Sequence, residues 1–174
     1  MRIAGILGVA IGSLSLFCQP VRAEMLNLGT ASGGQIVKLD TASIPRSRNT
    51  RSSWTSFVYY LGNKRIEAGA HCGRGIWSTT DGKEHKPQSQ ATRNMINIVC
   101  SARYAEPMED TGYVLVFDPP SKVRSSPGGP VKCTLASMIV VSVYVEPSNG
   151  WYSTDACGGS GNGWIHSSQI RAFD

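Results

Sequence analysis

The sequence predicts a mainly β chain made of two small units: an α+β domain stapled by a disulfide, and after it a small β-barrel. Three observations predict it. Beyond Tyr113 short branched and aromatic runs recur between closely spaced turn signals, the spacing of a small barrel. Before Arg103 a single stretch leaves the two-residue period and takes up the period of a helix. Four cysteines, Cys72, Cys100, Cys133 and Cys157, follow a leader-like start in this 174-residue chain, an even number of the kind that forms a disulfide framework in exported proteins.

Residues 1–23 carry Arg2, an apolar run from Ile3 to Cys18 and a small-x-small ending, Val21-Arg22-Ala23. This predicts a cleaved secretory signal peptide. The apolar run falls short of the ~20 residues a spanning helix needs, so no stable membrane span is expected after cleavage. The chain has 17 basic and 12 acidic residues; loss of Arg2 and Arg22 leaves 15 against 12, a balance of +3. So mild a charge gives little support to nucleic-acid binding.

Residues 24–103 form the first expected unit. Its start is polar, with short apolar islands at Met25–Leu28 and Ile36–Leu39 and a basic tract, Arg46, Arg48 and Arg51, that reads as a solvated loop. In the following run, WTSFVYYLGNKRIEAGAHC, Gly62-Asn63 joins two strands, with Trp54, Phe57 and Tyr59 as core candidates. Ile76–Thr79 continues as a strand and Asp81-Gly82 turns the chain. Ala91, Met95, Ile98, Val99 and Ala102 then fall on one helical face, with Ser89 as N-cap. Residues 104–112, acidic and nearly without apolar side chains, are the expected linker.

Residues 113–174 read as strands at Tyr113–Phe117, Val131–Leu135, Met138–Glu146, Trp151–Asp155 and Trp164–His166, with a Pro/Ser/Gly-rich loop from Asp118 to Gly129. The four cysteines allow three pairings. Cys72 with Cys100 and Cys133 with Cys157 is favoured, because each pair then lies inside one expected unit. On the chain-entropy account a loop of about 25 residues closed in this way stabilises by ~3 to 4 kcal/mol.

The second unit resembles the bacterial SH3-like (Src-homology-3 type, SH3b) domain. The residues that carry the resemblance are Val123-Arg124-Ser125 with Pro127 and Gly128, the runs Val131–Leu135 and Ile139–Tyr144, Gly150-Trp151-Tyr152, and Gly163-Trp164-Ile165-His166-Ser167. The chain departs from the family pattern at Ser121-Lys122, where Leu-Asn is usual, and in the glycine-rich loop CGGSGNG. The resemblance implies a small barrel with an aromatic groove for extended peptides. The candidates are Tyr144, Trp151, Tyr152, Trp164 and His166, with the tryptophans expected chiefly inside and Tyr152 and His166 at the surface.

Catalytic chemistry finds less support. A cysteine nucleophile needs a free thiolate beside a base, and the cysteines are better used in pairs. His71, Cys72, His85 and Cys100 lack the spacing of a zinc site. The turn carboxylates Asp81, Glu84, Asp118 and Asp155 read as turn-formers. A hydrolase site in the first unit would need polar groups to converge among His71, His85 and Asp81. The sequence thus predicts an exported, non-catalytic cell-envelope protein of the periplasm, cell surface or exterior, without cofactor or metal. Its expected partner is a cell-wall peptide or an envelope protein; the alternative is a secreted inhibitor or adaptor of another envelope protein.

Overall fold

A computed structural model describes residues 25–45, 53–104, 111–144, 148–158 and 163–173. The expected signal peptide, the basic tract at Arg46, Arg48 and Arg51, the acidic segment 105–110 and the middle of the glycine-rich loop lie outside the described residues.

The first unit is an antiparallel meander in sequence order: β1 (Met25–Thr30), β2 (Ile36–Asp40), β3 (Trp54–Leu61), β4 (Lys64–His71), β5 (Ile76–Thr79) and β6 (Glu84–His85). The two apolar islands near the start are β1 and β2, whose alternate residues Leu26, Leu28, Val37 and Leu39 are all buried, as one covered face requires. Gly62 takes a positive φ of 61° and turns β3 into β4, with Leu61 opposite Lys64.

Helix α1 (Gln90–Tyr104) covers one face of this sheet. Ser89 caps it: the Ser89 hydroxyl accepts from Thr92 N at 3.2 Å, while Thr92 Oγ1 accepts from Ser89 N at 3.1 Å, a reciprocal pairing that satisfies otherwise orphaned donors. Ala91, Met95, Ile98, Val99 and Ala102 are buried against Leu26, Leu39 and Phe57 in one cluster. Cys72, just after β4, is bonded to Cys100 near the end of the helix. Of the three expected aromatic core residues, Phe57 and Tyr59 are buried. Trp54 is not in the core. It lies on the opposite face of β3 and meets His71 edge to face, with ring centroids 5.1 Å apart.

The second unit comprises β7 (Thr111–Val116), β8 (Ser121–Arg124), β9 (Val131–Leu135), β10 (Ile139–Tyr144), β11 (Trp151–Thr154), β12 (Gly163–His166) and β13 (Ile170–Ala172). They form one antiparallel sheet in the order β13-β7-β10-β11-β12-β8-β9. The expected barrel is therefore not closed: β13 and β9 are the two edges of the sheet. Part of the reason is β8, placed within the expected loop Asp118–Gly129. It pairs with β12 and β9, and between β8 and the chain that enters β13 a side chain stands where a strand ladder would be needed. The Gln169 amide accepts from Lys122 N at 2.6 Å and donates to Lys122 O at 3.2 Å. The expected linker is also shorter than 104–112, since Tyr104 ends α1 and Thr111 and Gly112 already pair with Tyr144 and Val143 of β10.

Alternation sorts the second sheet into two faces. Val114, Val116, Val123, Leu135, Val141, Val143, Ile165 and Ile170 pack together on the inner face. The outer face of β7 and β10 supplies Leu115 and Val140, which join Met138 and Phe173 in the cluster built around α1. The helix thus lies between the two sheets. A hydrogen bond marks the junction: the Ser101 hydroxyl on α1 accepts from Val140 N at 2.8 Å and donates to Asn97 O at 2.7 Å. Cys133 on β9 is bonded to Cys157, and so holds the start of the glycine-rich loop to the sheet edge.

Candidate functional site

The two Gly-Trp pairs are built differently, and each glycine has a local cause. Asn149 and Gly150 both have positive φ, 48° and 79°, the conformation of the two-residue hairpin turn that suits twisted strands; Ser148 and Trp151 close it with two hydrogen bonds of 2.9 Å. Gly150 is also clipped to the end of β12, since Ser167 N donates to Gly150 O at 2.8 Å, and a Cβ there would come within 3.2 Å of His166 Nε2. Gly163 needs space alone: a Cβ would collide with Val123 Cγ1.

Both tryptophans are half-buried, and neither belongs to a hydrophobic cluster. This corrects the expectation that they fill the interior. Trp151 pairs with His166 across β11 and β12, and Trp164 pairs with Ser153, while the alternate positions Thr154 and Ile165 face inward and are fully buried. An interior lined with valine, leucine and isoleucine has no room for indole rings, which therefore stand on the outer face. The rings of Trp151 and His166 meet at 67° with centroids 5.0 Å apart. His166 is fixed from its other side, because Ser168 N donates to Nδ1 at 3.2 Å and Ser168 Oγ lies 2.9 Å from the same atom. With Nδ1 accepting, the neutral ring carries its proton on Nε2. Tyr144, 41% exposed, follows inward-facing Val143 on β10 and shares the outer face.

Tyr152 is the member of the predicted set that the structure separates from the rest. It pairs with buried Ile165 and faces inward, half-buried, where it lines a cleft of about 280 Å³ with Val114, Val143, Ile170 and Arg171. The outer aromatic face and this cleft are therefore two surfaces, whereas the sequence suggested one groove.

Sequence reading passed over a larger feature on the first sheet. Beyond the area covered by α1, the same face carries two connected hollows of about 630 and 570 Å³ that share Tyr59, Leu61 and His85. Trp77, 6% exposed, stacks on His85 with centroids 5.3 Å apart and meets Tyr59 edge to face at 6.5 Å. The Trp77 N–H makes no hydrogen bond, but it lies close enough to the Tyr59 oxygen to oppose the rise in the tyrosine's pKa. Burial raises that pKa most, and the Asp81 charge adds to the rise. At the rim Thr79 Oγ1 donates to Asp81 Oδ1 at 2.5 Å and lies 3.3 Å from His85 Nε2. The Thr79 bond first, and Lys83 second, hold the Asp81 carboxyl at about 2. A signal for this site was present in the alternation of Phe57, Tyr59 and Leu61, which places three large residues on one face, more than one helix covers.

These contacts do not form a nucleophile and base. The Thr79 proton is directed to Asp81, so His85 Nε2 serves as donor to the threonine oxygen and takes no proton from it. His71 lies on the opposite face beside Trp54 and does not converge with His85 and Asp81. Cys72, Cys100, Cys133 and Cys157 are all held in disulfides. Among the described residues no group of three or more His, Cys, Asp or Glu is placed to hold a metal ion. Arg74 is paired with Glu84 at 2.9 Å and lowers the pKa of that carboxyl, which leaves Glu84 a structural ion-pair partner. No known protein family, curated protein or solved structure matches this chain.

Proposed function

We propose that this is an exported, non-catalytic cell-envelope protein whose second unit, an SH3-like domain, binds a peptide of the cell wall through its outer aromatic face. The observation that carries the reading is the position of Trp151, Trp164, His166 and Tyr144. Four rings stand partly exposed on one face of a sheet whose core is complete without them, and aromatic side chains that fill no core are the usual anchors of a binding surface. The strand order also supports it: the last strand pairs with the first strand of the unit, the turn Ser167–Gln169 precedes it, and the β8–β9 hairpin folds against β12. Two disulfides suit an oxidising compartment, and no helix among the described residues is long and apolar enough to cross a membrane.

The test is retention of the purified protein on peptidoglycan sacculi. Retention that falls at least about tenfold in Trp151→Ala and Trp164→Ala, the loss expected of an aromatic anchor, would support the reading. No retention by the parent protein, or equal retention by both variants, would overturn it.

A further inference from the structure

Two neighbouring hydroxyls on β11 are treated differently by the fold. Thr154 faces inward and is fully buried; its Oγ1 donates to Ser142 O at 2.7 Å and accepts from Ala156 N at 3.3 Å. Ser153 faces outward and is nevertheless only 8% exposed, and among the described residues its Oγ has no hydrogen-bond partner. A hydroxyl in that position costs the free protein stability, because it has given up water and gained no bond in exchange.

The register of the strands places this hydroxyl at the base of the outer aromatic face. Trp164 on β12 is the cross-strand partner of Ser153, and Trp151 lies two residues back on the same strand and face. On the other side Val143 pairs with Thr154, so the antiparallel register brings Tyr144 level with Ser153. Aromatic rings alone would accept any flat apolar group, but a donor set among them selects. A carbonyl oxygen only accepts, so one bond from Ser153 satisfies both groups. A sugar hydroxyl would bring a proton of its own. Two hydroxyls share a single hydrogen bond, and one of the two protons would then be stranded among the rings.

We infer that Ser153 is a specificity-determining residue of the outer aromatic face, and that its hydroxyl donates to a peptide carbonyl of the ligand while Trp151, Trp164 and Tyr144 pack against the flanking groups. The inference rests on the reading of that face as a site for a cell-wall peptide and adds to it the group that is recognised. It also accounts for the unpaired hydroxyl, since the bond missing from the free protein is made in the complex.

The experiment pairs two measurements on the purified protein: depletion onto peptidoglycan sacculi, intact or stripped of their peptides by amidase digestion, and the thermal midpoint without ligand. Ser153→Ala is expected to bind intact sacculi about tenfold more weakly, the effect of one lost hydrogen bond to a neutral group, while its midpoint equals or exceeds the parent's. Thr154→Val, which removes a hydroxyl bonded within the fold, should show the reverse, a lowered midpoint with binding kept. Stripped sacculi should retain neither variant nor parent. Retention of Ser153→Ala as tight as the parent's, with that of Trp164→Ala reduced, overturns this inference and leaves the reading of the face in place, whereas no retention of the parent on intact sacculi overturns both. A lowered midpoint for Ser153→Ala would show that the hydroxyl already has a structural partner, and retention of the parent on stripped sacculi would place the acceptor on the glycan. Either result overturns the inference.

Discussion

The two sheets of this protein place their aromatic residues on opposite sides of the problem of filling a core. In the first sheet Phe57, Tyr59 and Trp77 are buried in the same cluster as the inward face of α1. In the second sheet the interior is aliphatic and the rings of Trp151, Trp164 and Tyr144 are outside. Residues of strands as far apart in the order as β13 and β9, Ile170 and Leu135, share that inner cluster, and compact branched side chains fill it without indoles. The same residue types therefore take different places in the two halves: inside the core in the first, on the outer face of the sheet in the second.

That difference is sharpest in stability. Phe57→Ala removes a ring from beneath α1 and is expected to cost about 3–5 kcal/mol, whereas Trp164→Ala, on the outer face, is expected to cost about 1 kcal/mol. Urea denaturation of both variants checks the pair, and equal losses would break the contrast. The smallest effect concerns the first sheet's rim. The pKa of Asp81 lies at about 2 in the fold against an ordinary 3.8, so the stability it contributes is present above pH ~4 and is lost as pH falls from about 4 towards 2. Asp81→Asn should lower the thermal midpoint slightly near neutrality, with the difference from the parent shrinking away as pH falls from about 4 towards 2. Because the group is exposed, the difference will be small.

Much of this was legible in the sequence. The period of Ala91, Met95, Ile98, Val99 and Ala102 gave the helix, Ser89 its cap, and Gly62-Asn63 the hairpin. The cysteine pairing followed from keeping each bridge within one unit. What escaped was set by partners distant along the chain. The strands β1 and β2 are short alternations among polar residues, and they become strands because α1 covers Leu26, Leu28, Val37 and Leu39. β8 was hidden in a proline- and serine-rich stretch and is defined by pairing with β9 and β12. The expectation that Trp151 and Trp164 fill the interior and that Tyr152 lies at the surface was reversed on both counts, because which face each residue takes depends on strand register, which composition does not reveal. The cleft around Tyr59 was missed because only the reach of one fifteen-residue helix decides which part of a sheet stays open.

The position of α1 has a consequence for cooperativity. One layer of the chain serves both sheets: its side chains share a cluster with β1, β3, β7 and β10, its Ser101 hydroxyl holds a β10 amide, and Cys100 ties it to the end of β4. Neither sheet can lose that layer without exposing apolar surface of the other. Melting is then expected as a single calorimetric transition, and reduction of the Cys72–Cys100 bond should be felt across the whole molecule, while reduction of Cys133–Cys157 should be felt mainly at the β9 edge.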